Sequence, residues 1–263
     1  MTQRIPPVYI SHGSPMFALE RGPAAQMLTE LGHALPRPRA ILAVSAHWDT
    51  ASPVVSTAPQ PPTIHDFYGF PQALYELGYA PPGAVELAHN VAALLQSADV
   101  PCSQHPQRGL DHGAWVPLMF IYPQADIPVT QLSIQTRYGP QAAYGLGRLL
   151  APLADEGVLL MGSGSITHNF QELDASAAPG ASRPWVDEFV DWIADRVAAH
   201  DTQALLDYRR QNRYGARAHP AEDHMVPLHF ALGAAGCAGK RLRGGMTLGT
   251  LSMDSFLFNG EPS

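Results

Sequence analysis

Residues 40–48 read Ala-Ile-Leu-Ala-Val-Ser-Ala-His-Trp, an aliphatic run that ends in a histidine. A short run of this kind predicts a buried β-strand. Two more histidines stand in the same relation to such a run, because His12 follows residues 7–10 and His168 follows residues 158–161 after a Gly/Ser turn. Ligands bind at the carboxyl ends of strands in open α/β sheets, and imidazole is the commonest neutral metal ligand. The three histidines therefore predict a metal site at one edge of a sheet.

Strand and helix patterns alternate along the rest of the chain. Further strands are predicted near residues 53–57, 128–134 and 246–252, and a 3.6-residue apolar period predicts helices over residues 84–97, 141–154, 185–200 and 221–235. The alternation predicts an α/β fold, in which a central, mostly parallel sheet is flanked by helices. We expect residues 1–263 to form a single domain, with the metal site at the carboxyl edge of the sheet.

Composition excludes several classes of protein. The chain has 263 residues and a formal net charge of −7, which does not favour binding to nucleic acid or to an anionic membrane. No apolar stretch has the length of a transmembrane helix, and the first residues lack the pattern of a signal peptide. Cys102 and Cys237 lie too far apart in sequence to suggest a thiolate zinc site. We expect a cytoplasmic protein, and the low charged fraction of 15% is compatible with a homo-oligomer.

Each histidine motif also has a structural alternative. His12, in Ser-His-Gly-Ser-Pro at residues 11–15, fits a tight turn that caps the next helix. His47 fits a buried histidine bonded to the main chain. In Asp-His-Gly-Ala-Trp at residues 111–115, Asp111 is a favourable helix cap whether or not His112 enters a site. His224 follows two acids at a predicted helix start, where those acids suit either the helix dipole or the orientation of the histidine.

Taken together, these motifs resemble those of a known family. They are Ser-His-Gly-Ser-Pro at 11–15, Ser-Ala-His-Trp at 45–48, Pro-Pro-Thr-Ile-His-Asp-Phe at 61–67, Gly-Phe-Pro at 69–71, Asp-His-Gly-Ala-Trp at 111–115 and His-Asn at 168–169. The chain resembles the DOPA 4,5-dioxygenase branch of the class III extradiol ring-cleavage dioxygenases, in the LigB-like superfamily. The resemblance runs from about residue 6 to residue 253.

The resemblance implies a mononuclear non-haem metal, Fe(II) for ring cleavage, with Zn(II) as the alternative in the isolated protein. It implies that His12, His47 and His224 are metal ligands. His168 matches the acid/base residue and is an alternative fourth ligand, and His112 matches a histidine that contacts substrate or oxygen.

The third ligand is open to a second reading. The wider superfamily often supplies a carboxylate there, and the matching segment offers Glu222, Asp223 and His224. An all-histidine site also suits Zn(II) with an open coordination position.

Candidates for contact with substrate lie in and after a proline-rich segment over residues 58–82. They are His65, Asp66 and Trp115. The function implied is extradiol cleavage of a catechol, such as L-DOPA, with O₂. Two alternatives use the same residues: a zinc-dependent hydrolase with this histidine site, and a non-catalytic binding protein of the same fold.

Overall fold

The main sheet has eight strands and is parallel at its centre. The computed structural model describes residues 3–260, and its sheet runs in the order β4-β3-β5-β2-β6-β1-β10-β7. The strands are β1 (Val8–Ser11), β2 (Ala40–Asp49), β3 (Val54–Ser56), β4 (Ser103–His105), β5 (Val129–Ile134), β6 (Val158–Gly164), β7 (Lys240–Leu242), β8 (Met246–Thr247), β9 (Leu251–Ser252) and β10 (Ser255–Leu257). Strands β5, β2, β6 and β1 are mutually parallel, so their carboxyl ends meet at one edge.

Helices cover both faces of this sheet. They are α1 (Pro23–Ala34), α2 (Gln72–Tyr75), α3 (Val85–Ser97), α4 (His112–Ile121), α5 (Gly139–Leu150), α6 (Pro152–Asp155), α7 (Pro184–Ala198), α8 (Thr202–Leu206), α9 (Tyr208–Gln211), α10 (Gly215–Ala218) and α11 (Val226–Ala235). Short 3₁₀ turns occupy Pro15–Leu19, Thr136–Tyr138 and Phe170–Glu172. The predicted α/β fold class is confirmed. Within residues 3–260, no helix is both long enough and apolar enough to cross a membrane.

Alternate residues of β6 contribute to two apolar cores. Leu159 and Met161 pack with α1 and α4 on one face, and Val158 and Leu160 pack with α5 and α11 on the other. All four side chains are fully buried. Because both faces of the strand are covered, its sequence is continuously apolar, as is typical of a central parallel strand.

Three elements differ from the sequence prediction. Residues 246–252 are interrupted at Leu248 and Gly249, whose φ angles of +51° and +69° turn the chain, and β8 and β9 pair as a separate hairpin. The helix predicted over 141–154 is split into α5 and α6, since Pro152 has no N–H to continue the hydrogen-bond ladder. The helix predicted over 221–235 begins only at Val226. Residue 224 therefore lies in a turn before that helix.

Candidate metal centre

Three histidines from distant parts of the chain meet at the carboxyl edge of the sheet. His12 follows β1, His47 lies near the end of β2, and His224 lies in the turn before α11. One ligand atom from each lies within 4.8 Å of the other two. The Nε2 atoms of His12 and His47 are 3.0 Å apart. His12 and His224 are buried, and His47 is partly exposed.

Strand β6 lies between β1 and β2, and its small residues leave space for the three histidine rings. In the register of the sheet, Ser163 of β6 lies between Ile10 and Ser45, so β1 and β2 are not direct neighbours. The tip of β6 carries only small residues. A Cβ atom on Gly164 would overlap the carbonyl oxygen of His224, and that oxygen accepts a hydrogen bond from the next amide of the chain, Ser165 N–H, at 3.0 Å. The glycine therefore lets the turn that carries His224 approach the strand end.

A serine sets the tautomer of His12. The Ser163 hydroxyl donates its single hydrogen to the carbonyl oxygen of Gly113, and its oxygen lies 3.0 Å from His12 Nδ1. Since the hydroxyl hydrogen is already engaged, Ser163 must accept from Nδ1–H of His12. Nε2 of His12 is thereby left as a lone pair that faces His47. A Cβ atom on Gly113 would collide with the Ser45 hydroxyl and crowd the rings of His12 and His47, so a larger residue there would displace these side chains.

A carboxylate orients His224 in the same way. Asp223 Oδ2 lies 2.9 Å from His224 Nδ1. A carboxylate accepts the Nδ1–H hydrogen, which directs the lone pair of Nε2 towards the other two histidines. Hydrogen bonds of this kind to the second nitrogen are the usual support of metal-bound histidines.

The donor set fits a divalent transition metal. Burial, together with the neighbouring histidines, lowers the pKa of His12 and of His224 well below the ordinary value. Burial and the nearby His112 lower the pKa of His47 to about 4. All three rings are neutral at neutral pH and offer lone pairs, as metal binding requires. Two nitrogens bound to one ion at about 2.1 Å and at right angles stand about 3.0 Å apart, which is the separation between His12 and His47.

His168 lies against the face of His224. The two rings are parallel within 9°, with their centroids 3.5 Å apart. A ligand atom of His168 lies within 4.8 Å of His224 and Asp223, so His168 borders the three-histidine group without belonging to it. Burial lowers the pKa of His168.

His112 enters the site at the N-terminus of α4. Asp111 caps this helix by accepting from Ala114 N–H at 3.2 Å, as the sequence predicted. The His112 ring lies 4.0 Å from that of His47, centroid to centroid. Asp66 lies 2.9 Å from His112 Nδ1. Burial raises the pKa of Asp66, but hydrogen bonds and charge from His112 outweigh that effect and lower the pKa to about 2.

A cavity of about 620 Å³ opens above these histidines. Its lining includes all five of them: His12, His47, His112, His168 and His224. Apolar side chains, including Met16, Phe67 and Leu251, form much of the remaining wall. Tyr68 and Phe170 also line it and are 91% and 76% exposed, which places two aromatic rings at its mouth. The shape and apolar wall suit an aromatic ring held beside a polar floor.

Of the three predicted substrate contacts, only Asp66 lines this cavity. Trp115 is fully buried and donates from Nε1–H to the carbonyl oxygen of Ile64 at 2.9 Å. His65 hydrogen-bonds the carbonyl oxygen of Leu77 at 3.0 Å, and its ring packs 5.8 Å from that of Trp115. These two residues therefore form part of the structure behind the wall.

Sequence reasoning missed Ser163 as a partner of His12. The motif at residues 162–165 suggested only that glycines let the main chain approach the site. A serine between two glycines at the end of a predicted strand is the sequence signal for such a residue. That its partner is His12 follows only from the order of the strands in the sheet.

The comparisons with known proteins agree over most of the chain. A family model described as the catalytic LigB subunit of aromatic ring-opening dioxygenase matches residues 6–249. The 4,5-DOPA dioxygenase extradiol of Beta vulgaris is 41% identical over 235 residues, which cover 87% of this chain and 86% of the relative. The protein of the same name from Escherichia coli (strain K12) is 38% identical over 238 residues, covering 88% and 85%.

A solved structure shows the same fold. The crystal structure of an uncharacterized protein from Escherichia coli K12 matches with a TM-score of 0.82 at 30% sequence identity. The match covers 97% of this chain and 100% of that one. The arrangement of strands and helices around the site is thus shared with a protein whose structure was determined experimentally.

Proposed function

The chain belongs to the LigB family of aromatic ring-opening dioxygenases, and from this premise we propose that it cleaves a catechol ring next to its two hydroxyls, with L-DOPA as the first substrate to test. Enzymes of this family are metal-dependent. The observation that carries the proposal is the meeting of three neutral imidazoles inside a cavity with apolar walls. The proposal takes residues 1–263 as one catalytic domain.

We assign the metal to His12, His47 and His224. Fe(II) held there would bind the vicinal hydroxyls of a catechol and pass electrons from the catechol to O₂. The partners Ser163 and Asp223 keep the coordinating nitrogens of His12 and His224 unprotonated. The same three nitrogens suit Zn(II), so the ion bound in freshly purified protein is a separate question from the ion that supports activity.

His168 is assigned to proton transfer. It lines the cavity beside the metal ligands, and burial lowers its pKa so that the ring is neutral at neutral pH. A neutral ring accepts the proton of a substrate hydroxyl and then holds it within reach of the oxygen that later needs it. His112 faces the same space from α4 and contacts the substrate on the side of His47.

Apolar walls hold the ring in place. Met16, Phe67 and Leu251 line the space above the histidines and exclude water from around the reacting carbons. Holding the ring in one orientation beside the histidines converts an encounter into an oriented reaction. The cytoplasmic location and the small-molecule partners expected from the sequence stay predictions within the same proposal.

The test is reconstitution under anaerobic conditions. Protein freed of metal is loaded with Fe(II), mixed with a panel of catechols that includes L-DOPA, and exposed to O₂ while uptake and absorbance are recorded. We expect one O₂ consumed per coloured, ring-opened product. The His12→Ala and His168→Ala variants separate loss of metal from loss of turnover with metal retained. Absence of O₂ uptake across the panel, in protein that holds Fe(II), would refute the proposal.

The zinc hydrolase alternative predicts a different result. Protein loaded with Zn(II) would cleave an ester or amide without any catechol or O₂. Family membership favours the dioxygenase over this alternative and over a non-catalytic binding role.

A further inference from the structure

One carboxylate holds His112 at two points. Asp66 lies in the segment between β3 and α2, and its Oδ1 accepts from the backbone N–H of His112 at 2.9 Å. Its Oδ2 lies 2.9 Å from Nδ1 of the same residue. Both oxygens are therefore engaged by a single histidine 46 positions further along the chain. This contact fixes both the main chain and the ring of His112 at the start of α4.

The contact also decides which ring nitrogen carries hydrogen. An aspartate is ionised at neutral pH and only accepts hydrogen bonds. Nδ1 of His112 must therefore carry the hydrogen that Asp66 receives. Nε2 is then the ring nitrogen left to face the cavity, and among the described residues no hydrogen-bond partner is found for it. Since His112 lines the cavity, this nitrogen is available to a bound molecule.

The sequence suggested that Asp66 contacts substrate directly. Both carboxylate oxygens instead accept from His112, one from its backbone N–H and one from Nδ1. The nearest other donor is Nδ1 of His47, which is 3.6 Å from Oδ2, beyond hydrogen-bonding distance. The geometry therefore favours an action of Asp66 through His112.

We infer that Asp66 is a positioning residue that turns Nε2 of His112 towards the cavity, where this nitrogen hydrogen-bonds a hydroxyl of the substrate. The inference rests on the proposed function for the identity of that substrate as a catechol.

The first experiment reads the tautomer without any turnover. Long-range ¹H–¹⁵N spectra of the histidine rings, assigned with the His112→Gln variant, are recorded for the wild type and for Asp66→Asn. An asparagine side chain offers one acceptor and one donor in place of two acceptors. We expect hydrogen on Nδ1 of His112 in the wild type and a shift of the population towards Nε2–H in Asp66→Asn. Hydrogen on Nε2 in the wild type would overturn the inference.

The second experiment is a double-mutant cycle on steady-state kinetics. We expect Asp66→Asn to lower kcat by about 10- to 100-fold, the usual effect of removing a hydrogen-bond partner behind a site histidine. In a His112→Gln background the same change should alter kcat less than about 2-fold, since residues that act as one unit are not additive. Metal content should stay at the wild-type level. Asp126→Asn, at an exposed ion pair with Arg37, serves as the matched control.

The outcomes separate the inference from the function on which it rests. Equal losses in both backgrounds would mean that Asp66 contacts the substrate itself and would overturn the inference. Loss of metal in Asp66→Asn would overturn it also, by making Asp66 a support of His47. If no catechol is cleaved at all, the proposed function fails. The double-mutant cycle is then measured as the affinity of the four proteins for 4-nitrocatechol in the absence of O₂. The ring spectra decide the tautomer in either case.

Discussion

For three of the five site histidines, the hydrogen bond made by Nδ1 decides which ring nitrogen faces the site. Ser163 accepts from His12, Asp223 accepts from His224, and Asp66 accepts from His112. In all three the engaged nitrogen is Nδ1, so Nε2 is the nitrogen presented to the centre. Three unrelated segments thus impose the same tautomer, which is what a shared metal and substrate site requires.

Replacing Ser163 by alanine removes the acceptor from His12 Nδ1–H. We expect metal affinity to fall by about 10- to 100-fold, because the ring loses its fixed tautomer and orientation. Competition with a chromophoric chelator measures the change. Ser97→Ala, which removes an exposed hydroxyl from α3, should leave the affinity unaltered. Unchanged affinity in Ser163→Ala would show that the serine does not orient the ligand.

At the scale of elements, close approach through glycine brings the site together. Gly164 admits the turn that carries His224, and Gly147 of α5 admits the main chain of α11 at Phe230. A Cβ atom at either position would overlap a carbonyl oxygen. The position of His224 therefore depends on how closely α11 and its preceding turn pack on β6 and α5.

The Gly164→Ala variant tests the approach at the strand end. The added methyl must displace the carbonyl of His224, and overpacking of this kind costs about 1–3 kcal/mol of unfolding free energy. We expect metal affinity to fall in the same variant, since the third ligand moves with the turn. Denaturant unfolding and a metal titration measure the two effects. A variant that binds metal like the wild type would contradict this account of the strand tip.

Two glycines of α5 form a matched pair. Gly147→Ala should destabilise the protein by about 1–3 kcal/mol, because its Cβ meets the carbonyl of Phe230. At Gly145 nothing lies within 4 Å of an added Cβ, so Gly145→Ala should stabilise the helix by about 0.5–1 kcal/mol. Thermal and denaturant unfolding of both variants checks the sign. Equal effects would show that helix propensity, rather than interhelix packing, dominates at these positions.

At the scale of the whole molecule, buried neutral histidines make stability depend on pH. His229 of α11 is fully buried, and one ring nitrogen hydrogen-bonds the carbonyl oxygen of Leu205 at 3.0 Å. Burial lowers its pKa to about 4, and burial lowers that of His219 to about 3. In the unfolded chain both histidines bind a proton with a pKa near 6.5, whereas in the folded chain they remain neutral to lower pH. Their contribution to the unfolding free energy is therefore fully present above pH 6.5 and is lost as the pH falls towards 4.

The His229→Gln variant isolates one of these protons. Glutamine keeps a donor for Leu205 but does not titrate. Between pH 6.5 and pH 4 the wild type should lose about 3 kcal/mol more unfolding free energy than the variant. Urea unfolding at several pH values measures the difference. Parallel pH profiles would mean that folding does not lower the pKa of His229.

Metal removal should also lower global stability. A metal ion that binds only the folded chain, at a free concentration 100 times its Kd, adds about 2.7 kcal/mol to the unfolding free energy. Removing the ion with a chelator should therefore lower Tm by roughly 5–10 °C. His12→Ala should have a lower Tm that no longer responds to the chelator. A wild-type Tm that ignores the chelator, in protein shown to hold metal beforehand, would contradict a stabilising site.

The sequence by itself determined the α/β class, the strands that carry His12 and His47, and the edge at which a metal is expected. These follow from local apolar periods and from the residue that ends each run. Only the tertiary structure decided that β6 lies between β1 and β2, that Ser163 and Asp66 hold site histidines, and that Trp115 lies behind the wall. Strand order and long-range hydrogen bonds join residues far apart in sequence, such as His12 and Ser163, which are 151 positions apart, and no local pattern encodes such pairs.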